Sequence, residues 1–153
     1  MSRTVKTTEV INDLLVNLFN NLLVIERNSL RATEYKDLTM NEWHVLEQIG
    51  LAKITMTELA NQLKITVGTL TTTINRLLKK GYVTRNQAED DRRFVYIQLT
   101  EMGIAAFKEH ETFHKNMVKS VVSQLEEEDH DVLVHSLEKL TEFFREEYKN
   151  QLY

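Results

Sequence analysis

Two groups of side chains in this 153-residue chain have the types and spacing to do chemistry. The first is Thr66, Gly68, Thr69, Thr71, Thr72, Asn75, Arg76 and Lys79, which fall on one face if the segment is helical. Small and hydroxylated residues let a helix approach base edges closely. A threonine methyl suits thymine, an asparagine amide suits adenine, and the cations meet phosphates. A merely solvated helix face would favour Lys, Glu and Gln, because β-branched Thr is a poor helix former. Six threonines between Thr66 and Thr84 therefore ask for another reason. Shortly downstream, Asp90-Asp91-Arg92-Arg93 sets two guanidinium groups in a polar stretch. One of them can enter a narrow minor groove, and Asp91 can orient it through a charge-assisted hydrogen bond.

The second group is His110 and His114, at i and i+4 on one helix face, a spacing that lets two imidazoles share one metal ion. Taken alone, such a pair is more often ordinary polar residues on a surface or in a pocket. The chain has no cysteine, so disulfides and thiolate chemistry are excluded. It also lacks a glycine-rich phosphate loop, a nucleophile elbow and a cysteine nucleophile, so an enzyme is not expected. A metal-dependent hydrolase built on Glu26 and the histidines stays as a remote alternative, but it would leave the first group unexplained.

Charge places the first group in context. The formal net charge is −4, yet residues 53–99 hold eight Lys/Arg against four Asp/Glu, between flanks in which acids outnumber bases. A basic island inside acidic flanks fits a nucleic-acid contact confined to the middle of the chain. No run approaches the ~18 apolar residues of a membrane span, and Met1–Thr8 lacks the apolar core of a secretory signal. A soluble cytoplasmic protein is expected, without a membrane partner.

The elements that must position these residues are mostly helices, since there is no proline and only Gly50, Gly68, Gly81 and Gly103 to punctuate the chain. A wide apolar stripe from Val10 to Ala32 predicts a long helix, suited to a core or to a dimer seam. Thr39-Met-Asn-Glu42 and Thr55-Met-Thr-Glu58 have capping-box spacing and open two shorter helices. A further helix runs from about Val67 to Lys80, with Val67, Leu70, Ile74, Leu77 and Leu78 inward and Gly81 at its end. Tyr82–Arg85 and Phe94–Leu99 read as a β-hairpin whose tip is the charged segment. Thr100 caps a long helix, and a last helix follows the acids Glu126–Asp129. Short helix, turn, second helix and two-stranded wing make a winged helix-turn-helix. Its recognition helix would lie in the major groove, with Arg92 or Arg93 in the minor groove. Phosphates would be met by Lys64, Arg76, Lys79 and the capping threonines.

Asp90-Asp91-Arg92-Arg93, a strand, and then Leu99-Thr100-Glu101-Met102-Gly103 resemble the D-x-R-R and L-T-x-x-G signature of MarR-type regulators. The likeness covers nearly the whole chain. Segments 19–26, 66–72 and 113–118 are similar to the subgroup that represses fatty-acid synthesis. The resemblance implies a mainly α winged-helix fold and an obligate dimer. Residues 1–38 and 100–153 would form the helical dimerisation region, and residues 39–99 the DNA-reading part, together one structural unit. It further implies a repressor on double-stranded DNA with an AT-rich palindrome, and long-chain acyl-acyl carrier protein as co-repressor. The acyl chain would draw on Phe19, Leu22, Leu23, Trp43, Leu46, Phe107 and Met117, although for most of them core filling is the plainer reading. Zinc-sensing members of the same family use a Glu from the first helix, a His from the second and an H-x-x-x-H pair from the fifth. Glu26, His44, His110 and His114 match those positions, so zinc is the alternative effector. Against it, the cysteine of the zinc sensors' second site is missing, and Glu26 could instead pair with a protonated His or help hold a pantetheine arm.

Overall fold

The computed structural model describes residues 3–87 and 94–148. Among the described residues nine elements follow in chain order: α1 (Arg3–Arg31), α2 (Met40–Ile49), β1 (Ile54–Thr55), α3 (Met56–Leu63), α4 (Val67–Lys80), β2 (Val83–Gln87), β3 (Val95–Leu99), α5 (Glu101–Val122) and α6 (Glu127–Glu147). The chain forms two compact units, Met1–Met40 and Asn41–Tyr153.

The first unit is α1 and the turn after it. The Thr33 hydroxyl donates to the Leu30 carbonyl at 2.6 Å and accepts from the Tyr35 amide at 3.2 Å, which ends the helix in a side-chain-closed turn. Along α1, Leu14, Leu18, Phe19 and Leu23 are exposed, whereas Glu26 and Leu30 are buried. Lys6–Arg31 is long and apolar enough to cross a membrane by length and composition, with a mean hydropathy of 1.2 over its best window. Counting uninterrupted apolar runs misses this, because Asn12, Asn17, Asn20 and Asn21 interrupt the segment.

In the second unit, capping chemistry sets the helix starts. Thr55 and Glu58 form the expected capping box: the Glu58 carboxylate accepts from the Thr55 amide at 3.0 Å and from its hydroxyl at 2.7 Å, and the Glu58 amide donates back at 3.2 Å. Lys64 closes α3 in the left-handed region at φ 56°, and Gly81 closes α4 at φ 82°, where a side chain would be strained. Trp43, Leu46, Leu59, Leu70, Ile74 and Ile97 fill the core.

β3 pairs with β2 in the expected hairpin, Val83 opposite Leu99 and Asn86 opposite Tyr96. A third strand was not foreseen. β1 pairs antiparallel on the other edge of β3, Ile54 opposite Ile97, giving the order β1-β3-β2. Two residues are too few to show an alternating pattern.

Two glycines do not punctuate. Gly68 and Gly103 lie inside the first turns of α4 and α5. A Cβ on Gly103 would run into the Tyr82 carbonyl oxygen, with Leu99 Cβ at 3.2 Å. That carbonyl accepts the Thr100 amide at 3.0 Å, while the Thr100 hydroxyl donates to the Gly81 carbonyl at 2.7 Å and accepts the Gly103 amide at 3.0 Å. The Leu99–Gly103 segment is thus a clasp joining the end of α4 to the start of α5.

On α6 none of the described residues is buried, and Val132, Leu137, Phe143 and Phe144 are exposed. Its apolar stripe, legible in the sequence, is not covered within its own unit.

Candidate nucleic-acid interface and effector residues

α4 begins at Thr66, whose hydroxyl accepts the Thr69 amide at 3.1 Å and lies 2.9 Å from the Thr69 hydroxyl. Leu70, Thr73, Ile74 and Leu77 form the buried face. Val67, expected inside, is exposed, because it sits at the first helical position. Of the residues assigned to DNA, Thr66, Gly68, Thr69, Thr72, Asn75, Arg76 and Lys79 are exposed, and Thr71 is half-buried. Thr71 donates its hydroxyl to the Val67 carbonyl at 2.7 Å. Thr66, Thr69, Thr71, Thr73 and Thr84 therefore have hydrogen-bond partners within the fold, and Thr73 faces inward rather than out. Asp91, Arg92 and Arg93 lie outside the described residues, as does the whole Asp90–Arg93 signature.

Where α4 meets α2 it carries a charge cluster that spacing alone did not suggest. Glu42 on α2 is fully buried. Its Oε2 accepts from Lys80 Nζ at 2.8 Å, and its Oε1 lies 3.5 Å from Arg76 Nε. Arg76 Nη2 donates to the Thr73 hydroxyl at 3.3 Å, and Asn41 Nδ2 lies 3.5 Å from the same oxygen. The clue in the sequence was the pair of cations Arg76 and Lys80, one helical turn apart.

Within the second unit His44, His110 and His114 converge. His110 is buried, and its Nε2 lies 3.1 Å from His114 Nε2. His110 Nδ1 is 3.9 Å from a Glu47 carboxylate oxygen, and the His44 ring centroid is 6.2 Å from that of His110. Glu26, the fourth expected ligand, is a buried residue of α1 in the first unit. Among the expected acyl-pocket residues, Trp43 and Leu46 are core, Leu22, Phe107 and Met117 are half-buried, and Phe19 and Leu23 are exposed.

Residues 38–95 match the model of the MarR family. The chain is 30% identical over 131 residues to the multiple antibiotic resistance protein MarR of Escherichia coli, spanning 72% of this chain and 91% of that protein. It is 29% identical over 111 residues to the transcriptional regulator ZitR of Lactococcus lactis, spanning 71% of this chain and 77% of ZitR. Its fold is similar to that of Streptococcus pneumoniae FabT, solved in complex with DNA, with a TM-score of 0.86 and 37% identity over 91% of this chain and 98% of FabT. With the three-stranded wing sheet, the capped α3–α4 pair and the Leu99–Gly103 clasp in place, the chain belongs to the MarR family of winged helix-turn-helix transcriptional regulators, which bind DNA and are not enzymes.

Proposed function

We propose that the protein is a homodimeric, cytoplasmic repressor of fatty-acid-synthesis genes. It would bind an AT-rich palindrome and take long-chain acyl-acyl carrier protein as co-repressor. The observation that carries the DNA-reading part is the outer face of α4, where Gly68, Thr69, Thr72, Asn75, Arg76 and Lys79 form one exposed stripe over an apolar buried face. The 37% identity with FabT supports the fatty-acid assignment. Self-association is supported by the uncovered apolar residues of α1, α5 and α6, including Leu14, Val118 and Leu137. A two-fold dimer presents two recognition helices about 34 Å apart, which requires a palindrome. The co-repressor acts by preferring the spacing of the heads that fits DNA, because equal affinity for both states would shift nothing.

Zinc is the second reading, favoured by the 3.1 Å approach of His110 and His114 Nε2. Two nitrogens on one tetrahedral zinc, each about 2.0–2.1 Å from it, stand about 3.3 Å apart. The same geometry also suits one shared proton between the rings.

Fluorescence anisotropy on a labelled AT-rich palindrome from a fatty-acid-synthesis promoter separates these readings at fixed salt. Tightening by the acylated carrier, and not by the unacylated one, supports the lipid co-repressor. Tightening by zinc alone, lost in His114→Ala, makes the histidines the regulatory site. No binding to any such duplex overturns the proposal.

A further inference from the structure

We infer that Glu42 is a positioning residue for DNA reading, acting through Arg76. The inference rests on the α4 reading above. Arg76 meets two groups before any ligand arrives: its Nη2 donates to the Thr73 hydroxyl at 3.3 Å, and its Nε lies 3.5 Å from Glu42 Oε1, an ion-pair approach without a hydrogen bond. Its side chain is nevertheless 53% exposed, so the guanidinium stays open to a ligand. Glu42 itself is fully buried and sits closer to Lys80, at 2.8 Å, than to Arg76. The division of labour follows from those distances. Lys80 is the nearer partner of the buried carboxylate, and Arg76, 3.5 Å from it and half exposed, is restrained in its rotamers while still open to a phosphate. Ordering a long side chain in advance removes a cost that binding would otherwise carry. The arrangement also explains a buried carboxylate at the start of α2, where exposed solvation would be cheaper.

The test is a cycle of four proteins, wild type, Glu42→Gln, Arg76→Ala and the double variant, titrated against the same palindromic duplex well below their melting temperatures. Glu42→Gln weakens binding about 3- to 10-fold in the wild-type background, the size expected for ordering one rotamer-rich side chain. In the Arg76→Ala background it changes nothing, since there is no guanidinium left to position. Equal weakening in both backgrounds means that Glu42 only supports the helix as a whole, and overturns the inference. If Glu42→Gln does not fold, Thr73→Val removes the other anchor and enters the cycle in its place. A wild-type protein that binds no duplex overturns the α4 reading itself, an outcome distinct from additive variants of a binding wild type.

Discussion

Gly103→Ala sets helix propensity against sterics. Gly103 lies in the first turn of α5 with helical backbone angles, so alanine would by propensity alone stabilise it by up to about 1 kcal/mol. The new methyl, however, meets the Tyr82 carbonyl, with the carbonyl carbon at 3.1 Å and Leu99 Cβ at 3.2 Å. A backbone carbonyl cannot rotate aside as a side chain does. Overpacking of this kind costs about 1–3 kcal/mol. Moving the carbonyl also stretches its 3.0 Å bond from the Thr100 amide, a further loss of about 1 kcal/mol. The net expectation is a destabilisation of about 1–3 kcal/mol, or a melting temperature lower by about 2–12 °C for a chain of this size. Gly68→Ala is the matched control, because its Cβ would find only the Thr66 hydroxyl at 3.8 Å and the helix should gain. Thermal melts at one protein concentration, held fixed because association shifts stability, read both variants. A Gly103→Ala protein as stable as its parent would refute the clasp.

Other perturbations address separate parts of the molecule. Lys80→Met leaves the buried Glu42 carboxylate with Arg76 at 3.5 Å, and should lower stability by about 2–4 kcal/mol in urea titrations. An unchanged midpoint would show that Lys80 does not balance Glu42. The side-chain and backbone hydrogen bonds from Thr55 hold the Glu58 carboxyl below its usual 4.5, so the unfolded chain protonates first as pH falls. That contribution is present above about pH 4.5 and is lost as pH drops through the folded value. The stability gap between wild type and Glu58→Gln should therefore shrink between neutral pH and about pH 3, and a constant gap would rule the effect out. Leu137→Glu, on the uncovered face of α6, should give a helical monomer in sedimentation. A dimer of unchanged strength would remove α6 from the seam.

The helices were legible because their signals are local. Thr55-x-x-Glu58, Thr66, Gly81 and Thr100 mark boundaries within one turn of the residues they govern, and the structure shows each of them capping there. β1 was not legible, since its strand character lies in pairing Ile54 with the distant Ile97. The N3 place of Glu42 is visible in the sequence, whereas its link to Lys80 spans 38 residues and is not. Gly103 was read as punctuation for the same reason, as the Tyr82 carbonyl that excludes a side chain is brought to it only by the fold. The stripes of α1 and α6 were visible, but periodicity does not say whether the covering surface comes from the same chain. The outer face of α4 was readable in advance because exposed polar threonines contradict helix propensity, and such a contradiction is itself a signal.

The charge distribution then separates one recognition head from two. Acids outnumber bases in the flanks, so attraction to phosphate is confined to the middle segment, and within it Lys80 is tied to Glu42. Lys64, Arg76 and Lys79 are left as the cations of each head assigned to phosphate, all of them exposed. Two heads neutralising about six phosphates should give a slope of log affinity against log salt near −5, and a single head about half of that. A dimer-breaking Leu137→Glu protein should therefore bind a half-site duplex with the halved slope and bind the palindrome no more tightly than the half-site. An undiminished slope in that monomer would mean that one head already makes all the phosphate contacts. The two-fold argument for a palindromic operator would then fail, even if α4 still lay in the groove.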